Sequence, residues 1–125
     1  MNKQELKSRT KQFAHRCVKI AVSLPSSPLG RHVQYQLIRC TTSVAANYRA
    51  ACIAQSKPTF ITKLGTVIEE VDETNFWLEF IIDEDMMNNA EIKNLLKESA
   101  ELTSIFIASR KTAQLNNKST IIDRK

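Results

Sequence analysis

Hydrophobic positions along the chain recur with helical spacing in four stretches, separated by three short polar or proline-bearing breaks. The clearest stretch predicts helix 3 over residues 57–84. There Phe60, Leu64, Val67, Val71, Thr74, Leu78 and Ile81 alternate spacings of four and three, the seam of a helix that packs lengthwise against others. Ser56 ahead of Lys57 and Pro58 marks its start. Helix 2 starts the same way, with Ser27 as cap and Pro28 at the first helical position, where a missing N–H costs nothing. Val33, Leu37, Cys40, Val44, Tyr48 and Ala51 form its apolar stripe, and the run ends near Ala54 or Gln55. Helix 1 is predicted from Asn2 to Leu24, with Leu6, Phe13, Cys17, Ile20 and Leu24 on one face and Pro25 ending it. After the break EDMMNN, Asn89 is the candidate cap of helix 4, which carries Ile92, Leu95, Leu96, Ser99, Leu102 and Phe106 and is predicted to finish near Ala113. Short connections make successive helices antiparallel, so the pattern predicts an all-α, up-down-up-down four-helix bundle over residues 1–114. Residues 115–125 read as a flexible polar tail.

Composition agrees with long helices. A chain of 125 residues with 42% hydrophobic residues can build one core, and two glycines with three prolines are too few for the turns of an all-β domain. Three cysteines without a CxxC pair predict no disulfide. Cys17 and Cys40 fall on apolar faces and read as small buried hydrophobes of a reducing compartment. The segment MNKQELKSRTKQF has no apolar signal core, and no uncharged run spans a membrane, which points to a cytoplasmic protein.

Charge adds a division that the net value of +5 conceals. Residues 1–56 carry Lys3, Lys7, Arg9, Lys11, Arg16, Lys19, Arg31, Arg39 and Arg49 against Glu5 alone. Residues 57–85 carry Lys57 and Lys63 against Glu69, Glu70, Asp72, Glu73, Glu79, Asp83, Glu84 and Asp85. One consequence is internal compensation, with the acidic helix lying beside basic ones. The other is an electropositive surface for phosphate backbones, for which Lys7, Lys11, Arg16, Lys19, Arg39 and Arg49 are the candidate contacts.

Apolar residues also occur outside the seams. At 100° per residue, Phe76 and Phe80 point away from Leu64 and Val71, and Val18 and Val22 point away from Phe13 and Ile20. Large apolar side chains on an outer face mark interfaces, so Val18, Val22, Phe76, Trp77 and Phe80 are candidate contacts of a homo-oligomer, with the Trp77 indole N–H satisfied at its rim.

Candidate chemistry is sparse. Gln36, Arg39, Ser43 and Asn47 form a polar edge on helix 2, beside alanines that permit close helix approach. It lacks the base and oriented partner that catalysis needs, and reads as structural, with Arg39 paired to a helix 3 acid. His15, His32 and three scattered cysteines do not make a ligand set, so no metal or cofactor is expected.

The segments QLIRCTTSVAANYRAAC and FITKLGTVIEEVDETNFWLEF, with Leu24–Pro25 and Gly30 before them, resemble bacterial four-helix bundle proteins related to the 23S rRNA intervening-sequence proteins. The accessory protein of diversity-generating retroelements is similar as well. The resemblance implies a non-enzymatic bundle without catalytic residues. It also implies a ring-shaped homopentamer, and contact with nucleic acid or a polymerase through basic surfaces. Three positions depart from the pattern. Ala45 stands where glycine is common, Ala50 where a Glu usually follows Tyr48–Arg49, and Thr59 where an acid is usual. The expected function is therefore RNA or DNA contact through helices 1 and 2 in a ribosome- or RNA-linked role. The alternative is a structural adaptor for a protein partner, such as an accessory subunit of a nucleic-acid enzyme.

Overall fold

The computed structural model describes residues 1–123, and side chains through Asn116. Its elements are α1 (Lys3–Val22), α2 (Pro28–Cys52), α3 (Lys57–Asp83) and α4 (Ala90–Asp123). Each start has a side-chain cap that occupies an otherwise unpaired backbone N–H. Asn2 accepts from the Glu5 N–H at 2.8 Å and donates back to its carboxylate at 3.0 Å. Ser27 accepts from Gly30 at 3.0 Å, Ser56 from Thr59 at 3.2 Å, and Asn89 from Ile92 at 3.0 Å. The predicted caps of α2, α3 and α4 are thus the observed ones.

Ends differ more than starts. α1 closes at Val22, where the Ser23 hydroxyl donates to the Lys19 carbonyl at 2.8 Å before Pro25 redirects the chain. α2 closes at Cys52, short of the predicted Ala54. α3 ends in a Schellman turn. The Met86 N–H reaches the Ile81 carbonyl and the Asp85 N–H reaches Ile82, both at 3.0 Å, with Asp85 left-handed at φ 54°. α4 runs to Asp123, well past the predicted end at Ala113. Its last ten residues contain neither proline nor glycine, so nothing in the backbone stops the helix. The mobility expected of the tail concerns side chains largely outside the described residues.

Neighbouring helices pack in ring order, α1 on α2, α2 on α3, α3 on α4, and α4 back on α1, which is the predicted antiparallel bundle. The core draws on all four stripes. Phe13, Cys17, Leu37, Cys40, Leu64, Leu78, Leu95 and Phe106 are among its fully buried members. Two polar pairs sit within it. Thr74 Oγ1 lies 3.2 Å from Cys40 Sγ, and the Asn75 amide donates to Ser99 Oγ at 2.7 Å. The α1–α4 seam has the fewest contacts, and ion pairs bridge it. Arg9 grips Glu98 through Nε at 2.7 Å and Glu101 at 2.8 Å, and Arg16 meets Glu91 at 2.9 Å. Among the described residues, no helix is long and apolar enough to cross a membrane.

Candidate nucleic-acid interface

On the outer side of the α1–α2 pair lies an open groove of about 710 Å³. Its walls follow from helical spacing. Lys7, Lys11, Ala14 and Val18 repeat at four, three and four residues along α1, while Thr42, Ala45, Ala46 and Arg49 repeat along α2. These rows lie to one side of the core stripes, so their side chains meet above the interhelical floor. The small residues Ala14, Ala45 and Ala46 leave the space open. The register is pinned at the far end, where the Gln34 amide donates to the Ala21 carbonyl at 3.0 Å.

Three of the six candidate phosphate contacts come together here. Lys7, Lys11 and Arg49 line the groove, and none has an ion-pair partner among the described residues. Residues 28–52 contain no Asp or Glu, so Arg49 has no adjacent acid on its own helix. The other three are placed differently. Arg39 is held between helices, with its guanidinium on Glu70 at 3.4 Å and on Glu73, and its Nε on Gln36 at 3.2 Å. Arg16 is paired with Glu91, and Lys19 is exposed on α1 outside the groove. Of the polar edge of α2, Arg39 thus bonds across to α3, while the Asn47 amide donates within α2 to Ser43 Oγ at 2.9 Å. Charge compensation between α2 and α3 is as read from sequence. The cations Arg9 and Arg16 of α1 are answered instead by α4.

The candidate interface residues divide between two faces. Val18 lines the groove, and Val22 follows one turn later at 60% exposure. Phe76, Trp77 and Phe80 cluster on α3. Trp77 stands edge-on to His32 of α2 at 5.7 Å, to Phe76 at 4.9 Å and to Phe80 at 5.6 Å. Phe76 is 52% exposed, and Asp72, Glu79 and Asp83 share its face by helical phase, all exposed. The Trp77 N–H is buried beneath this cluster, with no hydrogen-bond partner among the described residues. That differs from the expected rim position, because His32 and the two phenylalanines cover the indole edge.

The remaining reactive groups are held inert. Burial pushes the Cys17 and Cys40 thiols up, so neither ionises readily to a nucleophile. Burial does the same to Tyr48, which packs on Phe106 at 5.3 Å. Among the described residues no group of three or more His, Cys, Asp or Glu is placed to hold a metal. Sequence reasoning overlooked that Ser8, His15 and Thr42 share the groove with the lysines. The signal was a second stripe on α1, at positions 7, 11, 14 and 18, in phase with positions 42, 45 and 49 of α2.

The family model of the 23S rRNA-intervening sequence protein matches residues 2–108. Among solved structures, the chain is similar to a protein with unknown function from the S23 ribosomal protein family of Bacteroides thetaiotaomicron. The two share 30% identity over 89% of this chain and 99% of that one, with a TM-score of 0.81. No curated protein shows a significant match. With most of its length covered by the family model and its bundle shared with an S23 structure, the chain belongs to the 23S rRNA-intervening sequence protein family.

Proposed function

We propose that the protein works by binding rather than catalysis, as a cytoplasmic homo-oligomeric four-helix bundle that contacts RNA or DNA through the basic faces of α1 and α2. The observation that carries this reading is the grouping of Lys7, Lys11 and Arg49 in one open groove, with no ion-pair partner among the described residues. Cations that lack an internal partner attract phosphates and release their counterions on contact. The family's description, 23S rRNA-intervening sequence protein, sets the reading in an RNA-linked context.

Fluorescence anisotropy with labelled RNA and DNA over a salt series tests it. Binding is expected at low salt, with log K falling against log salt at a slope of about −2 to −3 for three neutralised phosphates. The charge-reversed triple variant K7E/K11E/R49E is expected to lose about tenfold or more in affinity. Wild-type protein that ignores both nucleic acids at low salt ends this reading.

The adaptor reading keeps one specific observation in its favour, the exposed Phe76 amid acids on α3. Such a face suits a protein surface carrying apolar and basic groups, whether a partner or a second copy of this chain.

A further inference from the structure

The α2 wall of the cationic groove stops at Thr42, and beyond it the outer face of the helix carries an exposed aromatic ring. Following the same face of α2 from Arg49 toward its N-terminus, Thr42 comes two turns earlier and Tyr35 two turns before that. Tyr35 is 64% exposed, and its ring has no aromatic or hydrogen-bonding partner among the described residues. The bond from Gln34 to the Ala21 carbonyl sets this end of α2 beside the end of α1 that carries the exposed Val22. One face therefore runs from cations, through Thr42 and His15, to an exposed ring. Over the fourteen residues from Tyr35 to Arg49 that track is about 21 Å long.

From this arrangement, and resting on the nucleic-acid reading above, we infer that the groove takes a single strand, with Tyr35 as the platform on which a base stacks. The chemistry selects that ligand in three ways. A row of cations follows a sugar-phosphate backbone without reading sequence. An exposed aromatic ring offers a stacking surface to any base, and only an unpaired base has a face free to use it. Packed helices lie about 8–10 Å apart axis to axis, so the groove between them admits one strand and not a duplex. The track length accommodates on the order of four nucleotides, the low end of single-strand sites. The aromatic cluster on α3 is unsuited to the role, because Asp72, Glu79 and Asp83 on its face repel phosphate.

The test is anisotropy of the full chain with a labelled single-stranded oligonucleotide and with its duplex, for the wild type, Y35A, Y35F and K7E/K11E. The single strand is expected to bind more tightly than the duplex. Y35A should weaken single-strand binding about tenfold while leaving the salt slope near −2, and Y35F should retain wild-type affinity. K7E/K11E should flatten the slope. Tyr35 is 64% exposed and is not among the described residues packed on the core, so Y35A is expected to keep the fold and its affinity is interpretable. The inference is overturned if Y35A binds the single strand as the wild type does, or if the duplex binds equally well; loss in K7E/K11E alone would then leave the electrostatic reading standing. Absence of any binding at low salt overturns both.

Discussion

Gly30 shows how much a single missing side chain can decide. At the first turn of α2 its Cα lies against the Pro25 carbonyl, where a Cβ would come within 1.8 Å of that oxygen. Backbone cannot swing aside as a side chain can. G30A is expected to lose about 3 kcal/mol in urea unfolding, through overpacking of the first connection. Gly65 is the contrasting case, because its added Cβ would meet nothing nearer than Arg110 Nη1 at 4.0 Å. G65A should gain up to about 1 kcal/mol, from helix propensity and a less flexible unfolded chain. A second residue-scale effect concerns pH. Burial raises the folded-state values of the Cys17, Cys40 and Tyr48 acids. In the unfolded chain thiols titrate near their ordinary 9.0 and tyrosine near 10.0. Above those values the unfolded state has released protons that the native state still holds, so stability falls as pH rises. The melting temperature is expected to stay level from pH 7 to about 8.5 and to decline from about pH 9 upward. C17A should flatten that decline even though its cavity lowers the curve as a whole; an undiminished slope would show that the Cys17 thiol contributes little to it.

At the scale of the helix, local signals were the legible ones. Ser27–Pro28, Ser56 before Pro58, and Asn89 mark starts because a cap acts within three residues, and the structure uses all three. The stripes were legible for the same reason, since burial follows a fixed 100° step. Phe60 alone of the α3 seam stays half-buried, at the open end of the bundle, where Lys3 Nζ sits 4.8 Å above its ring. The end of α4 was obscure because no residue forbids continuation. The turn after α3 was obscure because Asp85 takes a left-handed position where glycine is usual. Pairing between α1 and α4 was invisible altogether, since its partners lie far apart in sequence. Arg9 and Glu98 form a two-armed bond that is partly shielded, with side chains 25% and 16% exposed, whereas Arg16 and Glu91 share one bond at 39% and 46%. Solvent screens the second pair far more. Urea unfolding of E98Q is therefore expected to show a loss of about 1–2 kcal/mol, against about 0.5 or less for E91Q. Equal losses would mean that the α1–α4 seam depends on something other than the Arg9 grip.

For the whole molecule, the division of charge was legible but its internal pairing was not. Residue types along the chain gave a basic first half and an acidic third helix. Only the packing separates Arg39, consumed by Glu70 and Glu73, from Lys7, Lys11 and Arg49, which face solvent in one groove. The result is a molecule with a cationic face on α1–α2 and an acidic, aromatic face on α3. A monomer would keep Phe76 half in water, a cost that association can offset by removing apolar area from water. Multi-angle light scattering at micromolar concentration is expected to give a mass several times the 14.2 kDa of one chain. Phe76→Glu adds a carboxylate to a face that already carries Asp72, Glu79 and Asp83, and should shift the mass toward one chain without loss of helicity. K7E/K11E distinguishes how the copies meet. If the acidic face of one chain seats on the cationic groove of the next, this variant dissociates the assembly as well as weakening nucleic-acid binding. If α3 faces pair with themselves, it leaves the mass unchanged. A wild-type protein that scatters as a single chain would refute the interface role of Phe76, Trp77 and Phe80 in self-association.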